Sequence, residues 1–136
     1  MSRRQTRSEA RECAFSLVFK LEHKADDKEF VIEQLTEEKP ECIINLDYIR
    51  GSFEGVLEHM PEIDEKISAA LPENRGFSRL SDVVKAILRL AVFEIYYADD
   101  VPEKVAINEA VELAKKYAED DAPGFVNGVL SGVISK

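Results

Sequence analysis

The sequence has few of the residues on which disulfide frameworks, metal sites and membrane spans depend. It contains two cysteines, two histidines and no tryptophan among 136 residues. Cys13 and Cys42 are too few for a disulfide framework and lack the close spacing of metal ligands, so we expect reduced thiols in a cytoplasmic protein. The longest apolar stretches, such as residues 90–93, are far shorter than the ~20 residues of a membrane-spanning helix, which predicts no membrane insertion.

Motifs typical of enzymes are also missing from the sequence. There is no glycine-rich phosphate loop, no His/Cys metal-ligand spacing and no Ser–His–acid combination. The two histidines, His23 and His59, fall at the ends of predicted helices, where a surface histidine is favourable. The sequence therefore predicts a protein that is not an enzyme and that needs no metal or other cofactor.

Positive charge is in the minority and is unevenly distributed. The chain has 18 basic and 27 acidic residues, for a net charge of −9. Residues 1–24 carry six basic and three acidic side chains, whereas the other 112 residues carry 12 basic and 24 acidic ones. A basic end on an acidic body favours one restricted contact site for a polyanion, and a merely solvated amino-terminal segment is the alternative interpretation.

Apolar residues recur at helical spacing along nearly the whole chain, and no alternating strand pattern persists. Two capping-box patterns, Ser2 to Gln5 and Thr6 to Glu9, predict a first helix that begins between residues 3 and 7. Further helices are predicted over about 27–36, 45–59, 61–71, 81–97 and 104–117, and a last one starts near residue 123, capped by Asp120 or Asp121. We therefore predict an all-α bundle of about seven helices in two packed subdomains, about residues 1–60 and 61–136, with residues 72–80 as the best linker candidate.

The fifth predicted helix is apolar around almost its whole circumference, which is typical of a central, buried helix. Glu94 falls on its apolar arc. A buried carboxylate needs polar partners, so we expect Glu94 to accept hydrogen bonds from a helix start or an arginine. A catalytic acid is the alternative interpretation.

The first helix carries a second set of side chains beside its core stripe. On a helical wheel Arg4, Arg11, Phe15 and Phe19 lie well away from that stripe, with Arg7 nearby. Arginines along one edge can bind phosphates, and exposed aromatic rings can stack on unpaired bases or bind a partner protein. Without a separate recognition helix, the arrangement suits single-stranded RNA better than duplex DNA. Alternatively, both phenylalanines pack beneath another helix and the arginines are simply solvated.

Segments along the whole chain resemble the NusB family of transcription antitermination factors. They are the arginine-rich opening at 3–14, KAILRLAVFE at 85–94, VPEKVAINEAVELAK at 101–115 and FVNGVL at 125–130. The resemblance implies an all-α fold of seven helices. It also implies binding of the boxA element of nascent ribosomal RNA transcripts together with NusE, a small-subunit ribosomal protein, within the antitermination complex of RNA polymerase.

The resemblance also implies which residues make these contacts. The RNA-contacting positions are Arg3, Arg4, Arg7, Arg11, Asp121 and Phe125. The partner-facing positions are Phe19 and, at the start of the fifth helix, Val84; we add Phe15 because the helical wheel places it beside Phe19. Val84 stands where some family members have an acidic residue that meets NusE, so contact through this part of the helix is in question.

Two matters stay open at the level of sequence. The family includes monomers and homodimers, so a homodimer is possible. A helical protein-interaction adaptor without its own RNA-binding role is the alternative function, favoured by the acidic body and by Val84.

Overall fold

A computed structural model describes residues 4–23 and 27–135 of the chain. Over these residues the chain forms helices and no strand. The α-helices are α1 (Arg7–His23), α2 (Lys28–Glu38), α3 (Leu46–Glu58), α4 (Met60–Ala70), α5 (Asp82–Tyr97), α6 (Glu103–Tyr117) and α7 (Ala122–Ile134), and two 3₁₀ turns cover Pro40–Asn45 and Phe77–Arg79. The all-α prediction is confirmed, and the division into two subdomains stays a prediction.

Local hydrogen bonds explain where several helices begin. The Thr6 backbone N–H donates to Glu9 Oε1 (2.8 Å) and the Glu9 N–H donates to Thr6 Oγ1 (3.1 Å), which completes one of the two predicted capping boxes. Ser2, which begins the other, lies outside the described residues. Ser81 Oγ accepts from the Val84 N–H at the start of α5. Asp121 lies at the N-cap position of α7, as predicted, but its side chain makes no capping hydrogen bond.

Helix α5 is the centre of the bundle, as its all-round apolar surface predicts. It contacts α1, α3, α4, α6 and α7. The approach of α3 is especially close, because a Cβ atom added at Gly55 would lie 2.1 Å from the Phe93 ring. A glycine at this point is what allows the two helices to pack at this distance.

Helix α1 is also enclosed on several sides. It contacts α2, α3, α5 and the first 3₁₀ turn. Its thiol at Cys13 is buried, as is that of Cys42, and both are free. Burial raises the pKa of both thiols, which keeps them protonated and unreactive.

Within residues 4–23 and 27–135, no helix is both long and apolar enough to cross a membrane.

Candidate nucleic-acid interface

The segment that leads into α1 is tied to the body of the protein. Asn45 Nδ2 donates to the backbone oxygen of Gln5 (3.3 Å) and to Gln5 Oε1 (3.1 Å). Gln5 Nε2 in turn donates to the Cys13 sulfur at 3.5 Å. These bonds fix the direction in which the chain enters α1 and thereby place the exposed Arg4 at the edge of the bundle.

Arg7 is exposed and rests on an aromatic ring. Its guanidinium carbon lies 4.3 Å from the ring centroid of Tyr48, a cation–π contact. The Tyr48 hydroxyl donates to Glu94 Oε2 at 3.0 Å, and burial together with the charge of Glu94 raises the pKa of Tyr48. Among the described residues the Arg7 guanidinium has no hydrogen-bond acceptor, so its N–H groups are available to an oxygen acceptor such as a phosphate.

Arg11, one turn further along α1, lies in the interior. Its Nε and Nη2 atoms donate to the two carboxylate oxygens of Glu94 (2.7 and 3.0 Å), and Nη1 lies 3.2 Å from Glu109 Oε1. Arg11 is 5% exposed and Glu94 1%. Burial alone lowers the pKa of Arg11, but the hydrogen bond and charge of Glu94 outweigh it, so the pKa is raised.

This arrangement confirms one expectation and overturns another. Glu94 does accept hydrogen bonds from an arginine, as its apolar surroundings predict. The placement of Arg11 on an exposed edge of α1 is wrong, because the carboxylates of α5 and α6 hold it inside the bundle. Contact between Arg11 and RNA stays a prediction, and Arg3 lies outside the described residues.

The two aromatic side chains of α1, Phe15 and Phe19, also differ in how exposed they are. Phe15 is 5% exposed, and its ring centroid lies 5.2 Å from that of Tyr117 and 6.4 Å from that of Phe19. Phe19 is half-buried against the core. Phe15 therefore packs beneath another helix, α6, which was the alternative interpretation of the sequence. The partner-binding roles of Phe15 and Phe19 stay predictions.

Side chains of α1 and α6 meet along the same edge. Glu12 accepts from Lys116 Nζ (2.7 Å) and from the hydroxyl of Tyr117. Although partial burial favours the neutral acid, these two donors lower the pKa of Glu12. The edge next to the α1 arginines is thus fixed by charge-assisted hydrogen bonds, while the Tyr117 side chain remains 43% exposed.

The remaining predicted residues share a second location. Val84, Asp121 and Phe125 line one cleft between the segment before α5 and the start of α7. Asp121 is exposed and Phe125 half-buried, whereas Val84 is only 8% exposed. The structure therefore brings the predicted RNA position Phe125 next to the predicted partner position Val84, in one site.

Three residues at these two locations are absent from the predictions made from the sequence. Tyr48 lies in α3 beside the core stripe and carried no distinguishing signal. Arg75 and Arg79 belong to the predicted linker, yet they line the cleft, and the Arg75 guanidinium lies 4.5 Å from the ring centroid of Phe125. Two arginines four residues apart next to a helix start were the available signal.

Comparisons with known proteins agree with these observations. The family model described as "NusB family" matches residues 8–135. The transcription antitermination protein NusB of Oceanobacillus iheyensis is 42% identical over 129 residues, covering 95% of this chain and 98% of the relative. NusB of Pseudothermotoga lettingae is 42% identical over 127 residues, covering 93% of this chain and 89% of the relative.

Solved structures give the same result. A structure of NusB from T. maritima superposes with a TM-score of 0.85 at 31% identity, covering 98% of this chain and 94% of the other. NusB in a crystal structure of antitermination factors NusB and NusE with double-stranded RNA superposes with a TM-score of 0.82 at 28% identity, covering 95% and 96%. The helices, their order and the sequence agree over nearly the full length, and the chain belongs to the NusB family.

Proposed function

We propose that this chain is an RNA-binding transcription antitermination factor. It binds a boxA-like RNA element of nascent ribosomal RNA transcripts together with NusE, within an antitermination complex of RNA polymerase. The observation that carries the proposal is the exposed pair of arginines at the start of α1, where Arg7 is held on the Tyr48 ring and has no carboxylate partner among the described residues.

The position of Arg7 suits a phosphate contact. The cation–π contact restricts the guanidinium before a ligand arrives, so less conformational entropy is lost on binding. The cleft beside it has a volume of about 310 Å³ and is lined by Arg7, Arg11, Tyr48, Asp100, Val101, Pro102, Val105 and Glu109. One of its two carboxylates, that of Glu109, lies 3.2 Å from Arg11 Nη1. Val105 is 41% exposed there, which leaves an apolar surface next to a phosphate-binding group, as a nucleotide requires.

The charge of the whole chain explains why a partner is needed. Few exposed arginines serve this site, while the net charge of −9 repels a polyanion. RNA binding by the chain alone is therefore weak and falls steeply with salt, and NusE supplies additional contacts. We further propose that the protein acts in the cytoplasm, where transcripts are made, and that it has no catalytic activity, metal or other cofactor.

The decisive experiment measures RNA binding with and without NusE at two salt concentrations. Replacing Arg4 and Arg7 by alanine removes two phosphate contacts, so we expect about tenfold weaker binding and a salt slope smaller by about 1.4. The matched control is Lys28→Ala/Lys66→Ala, which removes two positive charges from α2 and α4. Single-stranded and duplex RNA are compared side by side.

Several outcomes contradict the proposal. Unchanged affinity of the Arg4→Ala/Arg7→Ala variant rejects the assigned site. An equal loss of RNA affinity in the control variant would show that the effect comes from net charge alone. Tight binding of NusE with no RNA affinity in any combination favours the adaptor function instead.

A further inference from the structure

Large apolar side chains that remain exposed are few in the part of the chain that the structure describes. Those that are at least 41% exposed are Phe30, Ile43, Ile44, Tyr96, Val105 and Tyr117. Both tyrosines use their hydroxyl groups in hydrogen bonds, and Val105 lines the cleft beside Arg7. Ile43 and Ile44 stand apart because they are consecutive and purely aliphatic, and they are 62% and 50% exposed. A pair of adjacent exposed isoleucines is typical of a contact surface, whereas single exposed apolar residues are ordinary.

The 3₁₀ turn Pro40–Asn45 holds this pair outward through its period of three residues. Side chains three positions apart lie above one another, so the turn has three rows of side chains. Cys42 and Asn45 form the inner row, since Cys42 is fully buried and Asn45 bonds the segment that leads into α1. Ile43 and Ile44 belong to the other two rows, which therefore face solvent.

The two outer rows differ in chemistry. Ile43 follows Pro40 in one row, and because both are exposed they make a continuous apolar strip. In the other row Ile44 lies between two exposed carboxylates, Glu41 three positions before it and Asp47 three positions after it. These five residues, which we call the isoleucine surface, combine an apolar contact area with a negatively charged border.

The charge and the location of the isoleucine surface argue against three occupants. Residues 37–47 carry four acidic side chains and one basic one, which repels the phosphates of RNA. A second copy bound face to face would bring these like charges together. The position that the family resemblance assigns to NusE on α1, Phe19, lies about 18 Å along that helix from Arg7. The 3₁₀ turn is instead bonded to Gln5, at the opposite end of α1.

We infer that the isoleucine surface docks a positively charged segment of a protein in the RNA polymerase complex other than NusE. The inference rests on the proposed function, which places this chain on the nascent transcript close to the polymerase. Because the transcript tethers the two, their effective concentration is high and a small contact area is sufficient. The aliphatic side chains supply affinity, and the carboxylates orient the basic groups of the segment.

The isoleucine surface is also ordered before a partner binds. The Cys42 N–H donates to the backbone oxygen of Lys39 at 3.0 Å, and the Leu46 N–H donates to that of Ile43. These bonds close both ends of the 3₁₀ turn, and the buried Cys42 side chain holds it to the bundle. Little backbone entropy is therefore lost when the surface is covered.

The test compares two titrations, both with NusE present. One uses a halted elongation complex of RNA polymerase whose transcript carries boxA, and the other uses the same RNA free in solution. Ile43→Ser/Ile44→Ser removes the aliphatic contacts without changing the net charge. We expect this variant to bind the elongation complex about tenfold more weakly and the free RNA with unchanged affinity.

A second variant tests the charged border. Glu41→Gln/Asp47→Asn is expected to bind the elongation complex about threefold more weakly, with a smaller dependence on salt. Its matched control is Glu62→Gln/Glu65→Gln, which removes two exposed carboxylates from α4 and is expected to bind like the unmodified protein. Phe30→Ser is the control for the loss of an exposed apolar side chain, and thermal melts verify that each variant is folded.

The outcomes separate this inference from the proposed function. If Ile43→Ser/Ile44→Ser binds the elongation complex as tightly as the unmodified protein does, the docking site is overturned and the function stands. An equal loss of affinity for the free RNA assigns the surface to RNA or NusE and overturns the inference. So does a dimer of the unmodified protein in sedimentation that the variant fails to form. If the unmodified protein binds no boxA RNA with NusE present, the proposed function fails and the inference fails with it.

Discussion

Arg7 and Arg11 lie one turn apart on the same helix and both face the Tyr48 ring, yet they differ in burial and in their charged partners. Arg11 is enclosed, with Glu94 bound in a two-point contact and Glu109 close by. Arg7 is exposed on the face of Tyr48 and has no carboxylate partner in the described part of the chain. The difference shows that the neighbouring helix decides the role of an arginine. Both arginines face the Tyr48 ring, but only Arg11 also meets carboxylates of neighbouring helices, which make it structural, whereas Arg7 stays available to a ligand.

The two regions are connected through one side chain. Tyr48 donates its hydroxyl to the carboxylate that binds Arg11, while its ring supports Arg7. The buried ion pair therefore also determines the position of the exposed arginine. Loss of the ion pair between Arg11 and Glu94 is expected to reduce stability directly and to reduce RNA binding through the position of Arg7.

The largest expected effect comes from removing the buried partner. Arg11→Ala leaves the charge of Glu94 uncompensated in the core, which costs about 3–5 kcal/mol of unfolding free energy. Arg7→Ala removes only an exposed contact and is expected to change stability by less than about 0.5–1 kcal/mol. Urea denaturation of both variants measures the difference. Equal losses of unfolding free energy would show that Arg7 is as important for stability as Arg11.

A change at Tyr48 separates its two functions. Tyr48→Phe removes a hydrogen bond to a charged carboxylate but keeps the ring, so we expect a stability loss of about 1.5 kcal/mol and unchanged RNA affinity. Tyr48→Leu removes the ring as well, and RNA affinity is expected to fall with stability. Denaturation and RNA titration of the two variants are compared. Should Tyr48→Phe weaken RNA binding as much as Tyr48→Leu, the ring is not what holds Arg7 in place.

The smallest expected effect concerns the neighbouring edge, where Glu12 bonds Lys116 and Tyr117. The pKa of Glu12 is lower in the folded state, so its ionised form stabilises the fold above the unfolded-state pKa. That contribution is lost as pH falls through the folded-state pKa. Glu12→Gln is therefore expected to cost about 0.5 kcal/mol at pH 7 and less at about pH 3. Denaturation at both pH values checks this, and a loss that is equal at both pH values would assign the contact to packing alone.

Much of the fold could be predicted because it depends on local signals. The capping box at Thr6 and the cap at Ser81 place helix starts within a few residues. The apolar circumference of α5 correctly predicts a central helix, and the position of Glu94 on it correctly predicts an arginine partner. Each of these follows from hydrogen-bonding needs or from periodicity, which sequence alone specifies.

The exposure of individual side chains on α1 could not be predicted in this way. A helical wheel divides a helix into one core face and one solvent face, and this assumes a single packing neighbour. Helix α1 is instead packed against α2, α3 and α5, and side chains of α6 reach it as well. Arg11 and Phe15 lie away from the main apolar stripe and are buried nonetheless.

The sequence by itself therefore determined the helices, their caps, the need of Glu94 for a partner and the membership in the family. Only the tertiary structure decided which of the described arginines pair with carboxylates and which do not, and it alone brought Arg75 and Arg79 into one cleft with Phe125. The physical reason is that helix formation depends on residues a few positions apart, whereas charge pairing depends on groups that come together only when distant helices pack. Arg11 and Glu94 are 83 residues apart in the chain and 2.7 Å apart in the fold.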